Sequence, residues 1–223
     1  MGCRRYGGIM IELVRRRMMM GGSALPYDAE LEWLESTGTQ YIDTGIIVNN
    51  QISMECVMAM TSATPIYSLQ GMTLSYNCGW FNVGCYGEAT LVAYFSANSR
   101  EGAQIPYDRD FHTYFISASL QRIDNTTAHV NSGQHIGYNT DRETYRTPLS
   151  IYMFARYIEW TATTDDLIYS HSKIKNCRIR FNNMLIADYI PVRVGNIGYM
   201  YDKVSGQLFG NQGIGQFLIG PDK

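Results

Sequence analysis

Apolar and polar residues alternate with a period of two along most of this chain. In ISMECVMAM (residues 52–60) every second residue from Ile52 onward is apolar, whereas Ser53 and Glu55 fall between them. A period of two places successive side chains on opposite faces of a β-strand, so one face of this strand is expected to be buried. Only residues 9–20 show, weakly, the 3.6-residue period of a helix. The chain is therefore predicted to be all-β.

Two other segments extend this pattern. FHTYFISASL alternates as one strand, whose buried face is expected to hold Tyr114, Ile116, Ala118 and Leu120. LSIYMFA (residues 149–155) is apolar at nearly every position, which predicts a strand that is buried on both faces.

Turn residues separate the strand-like segments at short intervals. Asn182-Asn183 separates KNCRIRF from MLIADYI, and asparagine tolerates the positive φ of a two-residue hairpin. DKVSG (residues 202–206) lies between IGYMY and QLF and predicts a second hairpin. Two further turns are expected at Asp124-Asn125 and Ser132-Gly133. Short strands joined by tight turns favour an antiparallel β-sandwich.

Charge is unevenly distributed. The formal net charge of −2 gives no overall attraction to nucleic acid, yet residues 1–24 carry several arginines against a single acidic residue, Glu12. We interpret residues 1–24 as a basic arm that anchors the protein to a partner or to another copy, and residues 25–223 as one domain. A disordered, solubilising leader is the alternative for the arm. Its five arginines are Arg4, Arg5, Arg15, Arg16 and Arg17.

The cysteines do not form a disulfide framework, because they are odd in number and scattered without a C-x-x-C motif. Cys56 and Cys177 lie within alternating apolar patterns and are predicted to be buried thiols. Cys78 and Cys85 could instead pair across a hairpin. Cys3 lies in the arm. This usage favours synthesis in a reducing compartment.

Neither a membrane span nor an export signal is expected. No run reaches the roughly 18 apolar residues that a spanning helix requires. The apolar stretch IMIELV is short, contains Glu12 and is followed by three arginines, which does not fit a signal peptide.

The two ends of the domain carry a resemblance to a known family. LEWLESTGTQYIDTGI near the start, and KIKNCRIRFNNMLIADYIPVRVGNIGYMYDKVSGQLFGNQGIGQFLIGP at the end, resemble a laminin-G-like, concanavalin-A-like jelly-roll module of gut bacteria and their bacteriophages. Between them, RDFHTYFISASLQRIDNTTAHVNSG is similar to the W-H-x-V…V-D-G strand pair of that superfamily, with Phe111 in place of tryptophan. The resemblance implies two antiparallel sheets packed face to face. It also places GQFLIGP beside TQYIDTG, with Gly38 and Gly45 at the corners.

Three acidic residues of the opening stretch raise the alternative of a glycoside hydrolase. Retaining hydrolysis needs two carboxyl groups about 5–5.5 Å apart, and residues two apart on one strand have Cα atoms roughly 6.5–7 Å apart. Glu30 and Glu32 would satisfy this spacing on a continuous strand. However, this strand opens the domain at an edge-like position and Glu35 falls at the turn, so we expect solvent-facing carboxylates and no catalysis.

A cluster of aromatic and amide side chains is the candidate carbohydrate site. Sugars offer one apolar face and a rim of hydroxyl groups, which aromatic rings and amides recognise. SYNCGWFNVGCYGE contributes most of the cluster, although these residues could equally form the core of a hairpin. The predicted sugar-binding residues are Tyr76, Trp80, Asn82, Tyr86 and Trp160.

No cofactor and no metal site are predicted. Asp165 and Asp166 lie next to Trp160 in EWTATTDD and could bind calcium through their oxygen atoms, although adjacent acidic residues in a polar loop are usually only solvated.

The family resemblance, the basic arm and the missing export signal together imply a non-catalytic structural protein of a phage virion. It would be a capsid decoration, head fibre or tail-associated protein, made in the host cytoplasm and assembled with other virion proteins, with a homo-oligomer expected. Its domain would face host-surface or mucin glycans, with no membrane and no specific nucleic acid as partner. A purely architectural cement protein without sugar binding remains the first alternative, and the hydrolase the second.

Overall fold

A computed structural model describes residues 25–48, 51–62, 80–86, 90–96, 102–117, 119–125, 127–130, 150–161 and 164–223. These residues contain no helix, and their regular elements are all β-strands. The all-β class is therefore confirmed. The strands are β1 (Ala29–Glu30), β2 (Leu34–Thr37), β3 (Ile42–Ile47), β4 (Ile52–Met60), β5 (Trp80–Tyr86), β6 (Thr90–Ser96), β7 (Gly102–Pro106), β8 (His112–Ser117), β9 (Leu120–Ile123), β10 (Thr127–Val130), β11 (Ser150–Met153), β12 (Ala155–Thr161), β13 (Thr164–Tyr169), β14 (His171–Phe181), β15 (Met184–Val194), β16 (Ile197–Asp202), β17 (Gln207–Phe209) and β18 (Leu218–Ile219).

One large antiparallel sheet organises the domain. Its strands follow the order β10-β9-β8-β4-β14-β15-β16-β17, and β14 lies near its centre. The long strand β14 pairs with β4 along one edge and with both β15 and β2 along the other. Three smaller groups, β5-β6-β7, β3-β11 and β12-β13, complete the described strands. Buried side chains of β3, β5, β6, β7 and β11 belong to the same hydrophobic core as those of β4, β8 and β14.

The beginning and the end of the domain meet in the large sheet. The hairpin partners β14 and β15 pair only over residues 177–181 of β14, and β2 takes the vacant edge beside residues 171–174. On its other edge β2 pairs with β18, where Leu218 lies opposite Glu35. The opening stretch and the C-terminal segment are thus neighbours, as predicted.

The register of this closure differs from the expected one. GQFLIGP pairs through β18 with LEWLEST, whereas TQYIDTG lies beside the loop that precedes β18. The amide of Gln212 donates to the Tyr41 carbonyl at 2.9 Å, and the amide of Ile214 donates to the Thr39 carbonyl at 2.9 Å. The offset arises because Gly38, at φ +97°, turns the chain out of line with β2.

The buried face predicted for β4 is confirmed, since Met54, Cys56 and Met58 are fully buried. The other face is not freely exposed as a period of two implies. Glu55 and Val57 are only partly exposed on it, and Ser53, which was expected to point away from the core, is buried.

The segment FHTYFISASL is not a single strand, which corrects the expectation for Leu120. β8 ends at Ser117 and β9 begins at Leu120. The Ser117 hydroxyl accepts a hydrogen bond from the Leu120 amide at 3.0 Å and donates to the Leu120 carbonyl at 3.1 Å, and this local pairing closes a turn. Tyr114 and Ile116 are buried as expected, and Ala118 lies outside the described residues.

LSIYMFA is buried nearly throughout its described part. From Ser150 to Ala155 only Tyr152 is partly exposed. Phe154 adopts a positive φ of 65° between β11 and β12, which redirects the chain into the next strand pair.

Three of the four predicted turns lie where the turn residues indicated. Asn182 and Asn183 have φ values of 49° and 64°, the conformation of a two-residue hairpin. Gly206 has φ 67° between β16 and β17, and Asp124 has φ 52° between β9 and β10. Ser132-Gly133 lies outside the described residues, as does the basic arm with Arg4, Arg5, Arg15, Arg16 and Arg17.

Candidate functional site

The large sheet presents polar and charged side chains on the face that points away from the core. Along β4 and β14 the side chains that alternate with the buried ones point to this side, among them Glu55 and Arg178. We call this surface the polar face. Its members in the central strands and their neighbours are Trp33, Glu35, Glu55, Phe111, Phe115, Arg122, Lys173, Lys175, Arg178, Arg180 and Asp188.

One row of the polar face crosses five adjacent strands. Register pairs place Arg122 beside Phe115, Phe115 beside Glu55, Glu55 beside Arg178 and Arg178 beside Asp188. Arg178 Nη1 lies 3.5 Å from Glu55 Oε1, and its Nε donates to Asp188 Oδ1 at 3.3 Å. Directly opposed side chains in antiparallel strands interact in this way. The row is therefore an ordered line of alternating charge with an aromatic ring within it.

Aromatic rings on the polar face are each accompanied by a basic side chain. Lys173 Nζ lies 4.3 Å from the ring centroid of Trp33, and Lys175 Nζ lies 4.1 Å from that of Phe111. Arg122 Cζ lies 5.7 Å from the centroid of Phe115. These are cation–π distances. The rings offer the apolar surface that sugar binding uses, and the cations cover part of it.

The polar face carries more positive than negative charge, although the whole chain has a net charge of −2. Lys173 also lies 3.6 Å from Glu35 in an ion pair. The basic side chains are Arg122, Lys173, Lys175, Arg178 and Arg180, and the acidic ones are Glu35, Glu55 and Asp188.

The predicted sugar-binding residues fall in two different strand groups. Trp80, Asn82 and Tyr86 belong to β5. Trp160 belongs to β12, which pairs with β13. The side chains of these four residues, and all of Tyr76, lie outside the described residues. The carbohydrate site proposed for them stays a prediction.

The three acidic residues of the opening stretch do not share one continuous strand. β1 ends at Glu30, the chain bends at Glu32, and Glu35 belongs to β2 and not to the following turn. The bend arises because the Glu32 amide donates to the Pro221 carbonyl at 2.8 Å, which ties this point to the C-terminal segment. Glu35 pairs with Lys173 across the sheet. Glu30 and Glu32 therefore do not lie on one continuous strand, which is the condition under which the spacing argument for a hydrolase applied.

No metal site emerges among the residues that the structure describes, since these contain no group of three or more potential ligands from histidine, cysteine, aspartate or glutamate. Asp165 and Asp166 lie in β13, and their side chains are outside the described residues. The calcium interpretation stays a prediction.

A histidine held between two carboxylates lies at one end of the sheet. His112 Nδ1 lies 2.7 Å from Asp124 Oδ2, and Nε2 lies 2.8 Å from Asp108 Oδ1. Asp124 also accepts the Thr113 amide at 2.8 Å, so the β9–β10 turn is bonded to the start of β8. The resemblance of RDFHTYFISASLQRIDNTTAHVNSG to a strand pair indicated these strands, but it did not indicate the contact of His112 with Asp108, which depends on the path of the chain before β8.

Opposing influences set the protonation of this cluster. Burial lowers the pKa of His112, but hydrogen bonds to Asp124 and Asp108, together with their negative charges, outweigh it and raise the pKa above its ordinary value. Burial likewise raises the pKa of Asp108, but the hydrogen bonds from His112 and the Asp110 amide leave it lowered overall. The imidazolium form is therefore favoured at mildly acidic pH.

The stabilisation from His112 is expected to decrease as pH rises. A folded-state pKa raised above the unfolded value of about 6.5 stabilises the protein fully below that value, and the stabilisation is lost as pH rises through the folded pKa. Because the side chains of Asp108 and Asp124 are 46% and 40% exposed, solvent screening limits the effect to about 1 kcal/mol. In urea unfolding, His112→Gln should therefore have a lower free energy of unfolding than the wild type at about pH 5.5, and the difference between the two proteins should be much smaller at about pH 8.5.

The variant Asp124→Asn serves as the second arm of this experiment. It keeps the shape of the side chain and removes one of the two charges beside His112, so it should reduce this pH dependence while Asp108 retains the rest. An equal destabilisation by His112→Gln at both pH values would contradict the assignment.

The chain matches no protein-family model, no curated protein and no solved structure. The laminin-G-like resemblance therefore stays an interpretation of the residues themselves. Among the described residues, none forms a helix of the length and apolar character needed to span a membrane.

Proposed function

We propose that the chain is a non-catalytic structural protein of a phage virion, a capsid decoration, head fibre or tail-associated protein, that displays a lectin-like jelly-roll domain. The observation that carries this proposal is the polar face, an outward sheet surface on which aromatic rings and paired charges are held in register across five strands. A rigid sheet face of this kind suits a displayed contact surface. The basic arm, residues 1–24, would attach the domain to other virion proteins or to further copies.

The carboxylates of the opening stretch favour a non-catalytic role. Glu30, Glu32 and Glu35 are distributed over two strands and a bend, and Glu35 already pairs with Lys173. A retaining hydrolase would instead hold two carboxyl groups about 5–5.5 Å apart around the scissile bond.

A purely architectural protein without sugar binding is the second candidate, and one specific observation favours it. The aromatic rings of the polar face are covered by Lys173, Lys175 and Arg122, and Arg178 is engaged by Glu55 and Asp188. A surface whose groups already satisfy one another gains less from a new ligand, because those contacts must be replaced.

A glycan array with the full chain, in calcium and in a calcium chelator, separates the two candidates. Glycan display predicts reproducible binding to host-surface or mucin glycans that Phe115→Ala or Arg178→Gln weakens at least tenfold and that Ile214→Ala, a change of an exposed loop residue, leaves unchanged. Binding to no glycan while the chain is recovered by mass spectrometry from purified virions would support the architectural role. Absence of the chain from virions would overturn both.

A further inference from the structure

Two cysteines face each other at the centre of the large sheet. Cys56 of β4 and Cys177 of β14 are register partners, and both are fully buried free thiols, as the alternation predicted. Nothing in the sequence showed that these two cysteines, 121 positions apart, would be neighbours, because the pairing of β4 with β14 is non-local.

The hydrogen-bond pattern of the two strands fixes the type of this pair. The Asn182 amide donates to the Gln51 carbonyl at 2.9 Å, so residues 51 and 182 form a hydrogen-bonded pair. The register is continuous from there to Val57 and Asn176. Hydrogen-bonded and non-hydrogen-bonded pairs alternate along an antiparallel ladder. Counted from residues 51 and 182, Cys56 and Cys177 are the fifth pair along the ladder, which makes them a non-hydrogen-bonded pair.

Non-hydrogen-bonded pairs have the spacing that a disulfide requires. Their Cα atoms lie about 4.5 Å apart, and their Cβ atoms are closer than in the alternate pairs. A disulfide spans Cα separations of about 4.4–6.8 Å with Cβ atoms roughly 3.5–4.5 Å apart. The bond would therefore need rotation of the two thiol groups and no movement of the backbone.

We propose that Cys56 and Cys177 are an oxidation site, at which a low-molecular-weight disulfide such as oxidised glutathione converts the two thiols to a reversible cross-strand disulfide. One deprotonated thiol attacks the reagent, forming a mixed disulfide and releasing one reduced thiol. The second cysteine, as its thiolate, then displaces the other half of the reagent as a second reduced thiol. The protein loses two electrons and two protons, and the reagent gains them.

Burial decides when this exchange occurs. The apolar surroundings raise the pKa of Cys177, and the neighbouring Cys56 thiol raises it further. The thiolate is therefore scarce in the closed sheet, and the reagent has no access to fully buried sulfur atoms. Exchange is expected while β4 and β14 are separated during folding or opening. Once formed, the bond is shielded from reductant for the same reason and joins the two central strands.

The test is oxidative refolding of the full chain. Protein refolded from urea with an oxidised and reduced glutathione mixture should yield a peptide linking Cys56 to Cys177, lighter by about 2 Da than the two reduced peptides together. Its Tm should exceed that of the reduced protein by roughly 5–15 °C, the range for a disulfide closing a long loop in a domain of this size. Treatment of the folded, reduced protein with the same mixture should form the bond at least tenfold more slowly.

A matched variant isolates the pair. In a Cys3→Ala, Cys78→Ala, Cys85→Ala background the linked peptide and the Tm difference should persist, and a further Cys56→Ala change should remove both. Alkylation of Cys56 and Cys177 as free thiols after oxidative refolding of the wild type would overturn the proposal, as would pairing of either with another cysteine. The wild-type peptide map decides the question even if the triple variant does not fold.

Discussion

Replacement of Phe217 by alanine is expected to lower the free energy of unfolding by about 3–4 kcal/mol. The Phe217 side chain is only 5% exposed, and its ring centroid lies 4.8 Å from that of Phe154. Removing the ring leaves a cavity beside Phe154, because the surrounding strands cannot collapse fully around the smaller side chain. The residue also precedes β18, so its loss weakens the contact between the C-terminal segment and β2.

The neighbouring residue provides the control for this prediction. Leu218 is 51% exposed and follows Phe217 on the opposite side of the chain, so Leu218→Ala is expected to change the free energy of unfolding by less than about 0.5 kcal/mol. Urea unfolding, followed by tryptophan fluorescence and by circular dichroism, measures both variants. Similar losses for the two would mean that the C-terminal segment does not pack as described. A large loss for Phe217→Ala alone establishes which face of this segment closes the core.

Local signals in the sequence were sufficient for several of the strands and turns. The alternation around Met54 and Met58 identified β4 and its buried face, and Asn182-Asn183 identified the β14–β15 hairpin with its positive φ values. Both depend on interactions within a few residues, which a sequence displays directly. The prediction that one strand continues through Leu120 was wrong because the turn before Leu120 contains neither glycine nor proline. It is closed instead by hydrogen bonds of the Ser117 side chain, which the alternation of apolar residues does not show.

The sequence does not show which strands pair when they are far apart along the chain. Glu55 and Arg178 were visible as polar positions of separate strands, but their meeting depends on β4 lying beside β14 in one register. A shift of one residue would turn every side chain to the other face. The same applies to Cys56 with Cys177.

Arg156 is a further residue that pattern analysis alone does not place. It is 2% exposed, although arginine is rarely buried, and burial lowers its pKa to about 10. Its position follows the bend at Phe154, where the chain leaves β11 and enters β12. A local change of direction of this kind overrides the expectation that a charged residue faces solvent.

Replacement of Gly213 by alanine is expected to destabilise the protein by about 2–4 kcal/mol, because the opening stretch and the C-terminal loop touch through their backbones at this point. A Cβ atom on Gly213 would overlap the Thr39 carbonyl oxygen and would lie 3.2 Å from Gln40 Cα. Neither is the movable end of a flexible side chain. Relief requires the two segments to separate, which breaks the hydrogen bonds from Gln212 to Tyr41 and from Ile214 to Thr39.

Gly195 is the matched control, because an alanine there loses the conformational freedom of glycine without creating a steric overlap. It has φ +59° and no atom within 4 Å of an added Cβ, so Gly195→Ala is expected to cost only about 1 kcal/mol from its left-handed backbone. Hydrogen exchange adds a local measurement, because separation of the two segments should speed exchange of the Gln212 and Ile214 amides in Gly213→Ala and not in Gly195→Ala. If both variants lost the same stability, the contact between Gly213 and Thr39 would not limit the fold. A selective effect at Gly213 would instead identify the stretch from Thr39 to Tyr41 as the place where the C-terminal loop closes the domain.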